Sequence, residues 1–265
     1  DPTPDDAAER QALIDGAREF ADACQRRSGE LLPFMSTDQA ARDMERIRLA
    51  LGEEQISYLG FSYGTFLGAT YANLFPGRVR AFVLDGAVDP IQGFEQSLET
   101  QGKGFADALE RFLDNCERAS ACFFNAGRDV RAAFDELMAG IDAEPLPALA
   151  IDDPRPVGPG EAFTGVLAAL YDRGSWSTLA QGLELARRGD GSLLLLLADS
   201  YNRRDAEGRY ENIAAANNAV NCADYVVPTD VAAYDAMVPR LEAIAPRFGE
   251  AIAYSGLTCA FWPVH

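Results

Sequence analysis

The sequence is poor in histidine and in positive charge, and it has no long hydrophobic run. Its 265 residues contain one histidine, His265, which is the last residue. Lysine and arginine number 23 against 41 aspartates and glutamates, for a formal net charge of -18. This excess disfavours nucleic acid and anionic lipid as partners, because both are themselves anionic. No apolar run exceeds six residues, and the run of leucines over 193–197 is far shorter than the roughly 18 residues of a membrane-spanning helix, so no integral membrane segment is predicted.

The composition supports a folded core. Hydrophobic residues make up 48% of the chain and aromatic residues 10%, which excludes a disordered chain. The cysteine spacings fit no zinc motif and histidine is nearly absent, so we predict no metal and no other cofactor. The chain begins Asp1-Pro2 without a methionine or a signal peptide, so we expect a processed or excised piece. The five cysteines are Cys24, Cys116, Cys122, Cys222 and Cys259. Because five is an odd number, one cysteine is free or is paired outside the chain.

Helix and strand patterns alternate in the first third of the chain. Apolar residues at helical spacing predict helices over 5–28 and 36–52. A buried strand is predicted over 56–61, a helix over 63–75 and a second strand over 79–84. A strand, a helix and a strand within about thirty residues indicate a right-handed βαβ unit, so the two strands should be parallel.

Beyond Pro90 only helical patterns occur. Two parallel strands alone make a poor sheet with unpaired edges, so the sheet should contain more strands than these two. Either sequence is missing from this chain or a strand in the helical part has been mistaken for a helix. The helical patterns after Pro90 lie over 105–116, 130–141, 160–171, 176–188, 192–202, 210–222 and 229–245.

Residues 60–64, Gly-Phe-Ser-Tyr-Gly, form a G-x-S-x-G motif between the first predicted strand and the helix that follows. In this context the motif is typical of a nucleophile elbow, in which a strained turn exposes the serine hydroxyl. Ser62 is therefore the candidate nucleophile. The backbone N–H of Tyr63, at a helix N-terminus, is a candidate oxyanion-hole donor. The alternative is a glycine-rich tight turn with an incidental serine.

A serine nucleophile needs a histidine base and an acid that orients the histidine. His265 is the one candidate base in the chain, but it follows a helical region instead of a late strand, which favours a chain-end surface histidine. Asp85 and Asp89 follow the second predicted strand and are candidates to approach Ser62. Their sequences, Asp-Gly and Asp-Pro, are equally typical of turns.

Five segments together carry a family resemblance. The segments are the helix over 36–52, residues 60–72, residues 83–90, residues 221–224 (Asn-Cys-Ala-Asp) and residues 259–263 (Cys-Ala-Phe-Trp-Pro). These segments resemble secreted actinobacterial α/β-hydrolases of the tripeptidyl aminopeptidase type. The resemblance implies an α/β fold: a partial α/β-hydrolase core of parallel strands with a nucleophile elbow, plus a mostly helical lid.

The resemblance also implies a domain organisation. Residues 1–90 would form the central part of the core, 91–250 the helical lid and 251–265 a segment returning to the core. The Gly-rich oxyanion loop of the family does not occur in this sequence, and the triad acid and histidine are expected beyond its last residue. By the same resemblance, His265 is not the catalytic base.

The function implied is that of a serine hydrolase. The resemblance favours an exopeptidase that releases tripeptides from free N-termini through an acyl-enzyme on Ser62, with a peptide or a small ester as substrate. An esterase or lipase uses the same parts and differs in the lid. A non-catalytic fragment that binds a partner is a further alternative, because the triad acid and base are absent from the sequence.

Two disulfides fit the resemblance. Cys222 and Cys259 match family positions, and Cys116 and Cys122 are close in sequence, so both pairs are expected to be bonded. Cys24 is left over, and its partner would precede the chain. Disulfides indicate a secreted or cell-envelope protein, whereas the alternative is five reduced thiols in the cytosol.

Asp224 is a candidate substrate-binding residue. In related aminopeptidases, lid carboxylates hold the free α-amino group of the substrate, and a charge-assisted bond of this kind is lost with an internal peptide. The resemblance therefore implies that Asp224 contacts this group. The alternative is a carboxylate that caps a helix or lies on the surface.

Overall fold

The computed structural model describes residues 1–125 and 127–264, most of which are helical. The two strands are β1 (Ile56–Phe61) and β2 (Val79–Asp85). The helices are α1 (Ala7–Ser28), α2 (Thr37–Ala50), α3 (Tyr63–Leu74), α4 (Phe94–Arg118), α5 (Val130–Ala143), α6 (Pro159–Leu170), α7 (Trp176–Arg187), α8 (Ser192–Tyr201), α9 (Ile213–Asp224), α10 (Val231–Ile244) and α11 (Gly249–Tyr254).

The sheet has two parallel strands, which confirms the predicted βαβ unit. β1 and β2 pair in parallel, with Tyr58 opposite Phe82 and Gly60 opposite Leu84, and α3 connects them. Within residues 1–125 and 127–264 no third strand joins this sheet. After β2 the described chain forms only two isolated antiparallel bridges, so no long strand replaces a predicted helix there.

The two faces of the sheet differ in their cover. On one face Tyr71 of α3 packs on Phe82, with ring centroids 5.8 Å apart, and Phe82 contacts Tyr58 at 5.2 Å. Side chains alternate between faces along a strand. On the opposite face Leu59 and Phe61 are 59% and 61% exposed. The sheet is therefore packed on one side and open on the other.

The chain forms two compact units. One, the helical unit, is mostly α4 to α8 with α10 and α11, and the other, the elbow unit, holds α2, β1, α3 and β2. The assignment of chain segments to core, lid and return segment stays a prediction. The helical unit comprises 1–16, 98–214 and 232–255, and the elbow unit comprises 17–97, 215–231 and 256–265.

Each unit has its own buried core and its own disulfide. In the helical unit, buried side chains such as Phe112 and Leu194 form the core, and Cys116 is bonded to Cys122. In the elbow unit, Cys222 is bonded to Cys259 inside a cluster with Ala21, Leu32, Ala219 and Trp262. These are the two predicted pairs, one from closeness in sequence and one from the family resemblance, and in the described residues Cys24 is not disulfide-bonded.

Two features are absent from the described residues. None of their helices combines the length and the hydrophobicity that crossing a bilayer requires. Nor do the described residues contain a group of three or more histidines, cysteines, aspartates or glutamates arranged to hold a metal ion.

Candidate active site

Ser62 lies in the turn between β1 and α3, with φ 51° and ψ -120°. A positive φ is unfavourable for a residue with a Cβ and persists only where the surrounding structure enforces it. The conformation ends the strand abruptly and begins the helix at the next residue. The side chain of Ser62 is exposed in this structure.

Hydrogen bonds from two segments hold the Ser62 backbone. The Ser62 N–H donates to the carbonyl oxygen of Asp85 at 3.0 Å. The Ser62 carbonyl accepts from the Thr65 N–H at 2.8 Å and from the Thr65 hydroxyl at 2.7 Å. The oxygen of that hydroxyl, in turn, accepts from the Val88 N–H at 2.8 Å. Thr65 is 1% exposed, so it connects the turn to the loop after β2 from a buried position.

Glycines allow the backbone segments to approach each other around this turn. A Cβ at Gly60 would overlap the Gly64 carbonyl and lie 2.7 Å from the Tyr58 ring. The Tyr58 hydroxyl donates to that same carbonyl at 2.7 Å. Gly86 has φ +71°, and a Cβ there would come within 3.7 Å of the Ser62 nitrogen. The local sequence therefore fits the geometry that exposes the Ser62 hydroxyl.

The turn is suited to nucleophilic chemistry on an acyl group. As the first residue of α3, Tyr63 has a backbone N–H without an intrahelical acceptor, next to the Ser62 hydroxyl. A helix N-terminus favours developing negative charge. No hydrogen bond involves the Ser62 hydroxyl in the part of the chain that the structure describes. The Ser62 hydroxyl is thus exposed beside the Tyr63 N–H, a donor suited to an oxyanion.

The two acidic candidates, Asp85 and Asp89, make backbone and turn contacts. The Asp89 carboxylate accepts from the Ile91 N–H at 3.1 Å, as a turn-forming aspartate does. Asp85 contacts Ser62 through its backbone carbonyl. Among residues 1–125 and 127–264, no hydrogen bond joins either carboxylate to Ser62. His265 lies outside the described residues.

Asp224, at the end of α9, lies in the same compact unit as Ser62 and is bonded to the start of α2. Its carboxylate accepts from the Thr37 N–H at 2.8 Å and from the Thr37 hydroxyl at 2.6 Å. The hydroxyl oxygens of Thr37 and Tyr63 are 2.7 Å apart. A hydrogen-bonded chain therefore runs from Asp224 through Thr37 to the residue that follows Ser62.

Burial affects the ionisation of both ends of this chain. Burial raises the pKa of Asp224, although the hydrogen bonds from Thr37 oppose the shift. Burial also raises the pKa of Tyr63, so the phenol stays protonated and is available as a donor. Thr37 itself is 2% exposed.

Sequence reasoning assigned no role to Thr37 or to the Thr65 hydroxyl. Thr65 directly follows the G-x-S-x-G motif, but its contact with Val88 depends on how β2 pairs with β1. Thr37 and Asp224 are 187 positions apart, so no local pattern links them. The available sequence signal for Thr37 was its place directly after Ser36, at the start of a predicted helix.

The elbow region matches a known family. Residues 20–126 match the family described as alpha/beta hydrolase fold. The match includes β1, the Ser62 turn, α3 and β2, which together form the parallel unit described above.

Several curated proteins are similar to this chain along most or all of its length. Serine protease Hip1 of Mycobacterium tuberculosis is 36% identical over 100% of this chain and 53% of its own length. Tripeptidyl aminopeptidase of Streptomyces lividans is 33% identical over 100% of this chain and 49% of its own length. Carboxylesterase B of Mycobacterium tuberculosis is 39% identical over 93% of this chain and 48% of its own length. The chain thus spans about half the length of these relatives.

Proposed function

Because residues 20–126 of the chain belong to the α/β-hydrolase fold family, we propose that the chain carries the nucleophile of a serine hydrolase. The observation that carries the proposal is the conformation of Ser62, with φ 51° and ψ -120° between a parallel strand and a helix. An incidental serine in a glycine-rich turn has no reason to adopt so unfavourable a backbone conformation. Relatives named as a serine protease, an aminopeptidase and a carboxylesterase support the same reaction class.

In the proposed reaction the Ser62 oxygen attacks the substrate carbonyl carbon, and its proton passes to a histidine base. The Tyr63 N–H stabilises the oxyanion of the tetrahedral intermediate. Collapse of the intermediate breaks the bond between the carbonyl carbon and the leaving group. The histidine protonates the leaving amine or alcohol, and an acyl-enzyme remains. Water then attacks the acyl-enzyme and restores the Ser62 hydroxyl. We propose that the histidine, its acid and a second oxyanion donor belong to other parts of a longer protein.

For the substrate we propose peptides with a free N-terminus, from which tripeptides are released. The proposal is supported by similarity to a tripeptidyl aminopeptidase and to a serine protease. Similarity to a carboxylesterase supports ester hydrolysis as the second candidate. A contact between Asp224 and the substrate ammonium is the alternative to the role that its bonds to Thr37 support.

A fluorophosphonate probe tests the nucleophile. We expect stoichiometric labelling at Ser62 in the complete gene product that contains this chain, and no labelling of the Ser62→Ala variant. Ser177→Ala, which removes an exposed serine of the helical unit, is the matched control and should label as the wild type does. Labelling of the isolated chain would show that it needs no other segment. A complete gene product that fails to label would support a non-catalytic binding role instead.

Three chromogenic substrates separate the peptidase from the esterase. A tripeptide anilide with a free amino group should be cleaved faster than its N-acetylated counterpart if the enzyme is an exopeptidase, because acetylation removes the ammonium. A short-chain nitrophenyl ester measures esterase activity. Equal rates on the free and acetylated peptides, together with faster cleavage of the ester, would favour the esterase.

We also propose that the protein acts outside the cytoplasm. Two disulfides in one chain are typical of an oxidising compartment. Fractionation of the source cells, with an antibody against this chain, tests the proposal. Recovery from the culture medium or the cell envelope is expected, whereas recovery with reduced cysteines from the cytosol would contradict it.

A further inference from the structure

Tyr63 is tied to two other helices of its compact unit. Its hydroxyl oxygen lies 2.7 Å from the Thr37 hydroxyl oxygen, and the Thr37 hydroxyl lies 2.6 Å from Asp224. A carboxylate has no proton to donate, so the Thr37 hydroxyl donates to Asp224 and accepts from the Tyr63 phenol. We call the three residues Asp224, Thr37 and Tyr63, with these bonds, the Tyr63 tether.

The anchor of the tether is firmly held. The Thr37 N–H donates to the other Asp224 oxygen at 2.8 Å, so Asp224 also caps the first turn of α2. Two positions before Asp224, Cys222 is bonded to Cys259 within the buried cluster. Since Thr37 is buried, its hydroxyl would lack partners without the tether.

The far end of the tether is the elbow itself. Tyr63 follows Ser62 directly, and its backbone N–H is the proposed oxyanion donor. A bond at the phenol hydroxyl limits rotation of the Tyr63 side chain, and so limits movement of the backbone that bears this N–H. Strained backbone conformations persist where several independent contacts determine them, and the tether supplies one from outside β1 and β2.

We propose that the Tyr63 tether positions the elbow for catalysis, with Thr37 and Asp224 as positioning residues that never touch the substrate. The inference rests on the proposed function and deepens it. It assigns Asp224 a role different from binding the substrate ammonium. Both Asp224 oxygens already accept from Thr37, and the charged side chain that influences Asp224 most is the like-charged Asp38.

The first test removes single hydroxyls from the tether in the complete gene product. Tyr63→Phe and Thr37→Val keep the shapes of the side chains. Tyr63→Phe loses the hydrogen bond to Thr37, and Thr37→Val loses the hydroxyl bonds to both Tyr63 and Asp224. We expect the maximal rate of fluorophosphonate labelling to fall about 3- to 10-fold, the effect of a net hydrogen bond, while the half-saturating probe concentration stays within twofold. Thr37→Ser keeps the hydroxyl and should restore the wild-type rate.

Matched controls remove the same groups elsewhere. Tyr210→Phe and Thr164→Val lie in the helical unit and should label at the wild-type rate. Tether variants that label as fast as the wild type would overturn the positioning role. So would a Thr37→Ser variant as slow as Thr37→Val, because keeping the hydroxyl would then not preserve the rate. A wild type that does not label contradicts the proposed function, and the positioning role falls with it.

A second test separates the two roles of Asp224. The fluorophosphonate probe has no ammonium, so a positioning role predicts that Asp224→Ala slows labelling and also lowers kcat for free and acetylated tripeptide anilides alike. A raised KM confined to the free-amine peptide, with normal labelling, would contradict positioning and support ammonium binding. The thermal midpoint of each variant, measured in parallel, separates loss of folded protein from loss of rate.

Discussion

At the scale of single residues, the Ser62 turn depends on contacts that the motif itself does not reveal. The G-x-S-x-G pattern predicted a strained serine between a strand and a helix because strand, turn and helix are consecutive in sequence. The bond from the Thr65 hydroxyl to the Ser62 carbonyl is local as well, at three positions. The bond from Val88 to Thr65 spans 23 positions and follows only from strand pairing, so it was not predicted.

We predict that Thr65→Val weakens the elbow unit. The variant removes the acceptor of the Val88 N–H and one of the two donors to the Ser62 carbonyl, both at the buried position of Thr65. The expected loss is about 1–3 kcal/mol in the free energy of unfolding, measured by urea denaturation. Thr65→Ser keeps the hydroxyl and should lose less. A larger loss in Thr65→Ser than in Thr65→Val would mean that the methyl group, which valine keeps, matters more than the hydroxyl.

A second prediction concerns Gly60. Gly60→Ala places a methyl group against the Gly64 carbonyl and the Tyr58 ring, so the turn must shift. We expect a loss of about 1–3 kcal/mol in the free energy of unfolding. Gly104→Ala is the matched control, since Gly104 lies within α4 and has no atom within 4 Å of an added Cβ. This control should stabilise the protein by up to about 1 kcal/mol because alanine favours a helix.

At the scale of elements, local periodicity was enough for most of the fold. The strand predicted over 56–61 is β1 with the same bounds, and β2 is one residue longer than predicted. The helix at Gly249–Tyr254 was not predicted, because its six residues are too few to display a period of 3.6. The exposed side chains of Leu59 and Phe61 leave one face of the sheet uncovered, whereas parallel sheets are normally covered on both faces. The further strands of the sheet stay a prediction.

An ion pair within α2, between Glu45 and Arg48, is bonded to Tyr71 of α3 and gives a pH prediction. Arg48 donates to both Glu45 oxygens, and the Tyr71 hydroxyl donates to one of them at 2.9 Å. Chiefly through the Arg48 bonds, the pKa of Glu45 falls from 4.5 to about 2. Since the folded-state pKa lies below the unfolded value, the stabilisation is complete above pH 4.5 and is lost as the pH falls towards about 2.

The measurement is the urea midpoint as a function of pH. Between pH 4.5 and about 2 the midpoint should fall less steeply in Glu45→Gln than in the wild type, because the variant has no carboxylate to protonate there. Glu30→Gln, at an exposed position, should keep the wild-type slope. A Glu45→Gln profile parallel to the wild type would contradict the assignment.

At the scale of the whole molecule, the two compact units carry disulfides of different span. Cys222 and Cys259 are 37 positions apart, whereas Cys116 and Cys122 are 6 apart. A longer closed loop restricts the unfolded chain more. Replacing the Cys222–Cys259 pair by alanines should therefore cost about 1.5 kcal/mol more in stability than replacing the Cys116–Cys122 pair.

The chain offers a reporter for each unit. Its two tryptophans, Trp176 and Trp262, lie in the helical unit and in the elbow unit respectively. In the Trp262→Phe variant, the fluorescence of Trp176 follows the unfolding of the helical unit. In the Trp176→Phe variant, the fluorescence of Trp262 follows the unfolding of the elbow unit. A larger loss from the Cys116–Cys122 replacement would contradict the loop-length argument.

The contacts that bring distant segments together were the least predictable at this scale. The elbow unit takes in residues 215–231 and 256–265, which follow more than a hundred residues of helical chain. Family resemblance indicated the Cys222–Cys259 pair, but no periodicity or composition did. Asp224 was singled out as a carboxylate for the substrate, whereas the structure shows both of its oxygens bonded to Thr37.

The positive φ of Ser62 sets chemistry and folding stability against each other at one position. Glycine adopts such a conformation without the penalty that a Cβ brings, whereas alanine keeps the penalty and loses the hydroxyl. Under the proposed function, a gene copy released from selection for hydrolysis would thus gain stability by a change to glycine there. Serine kept at position 62 in descendants of this sequence would then indicate that selection still acts on turnover.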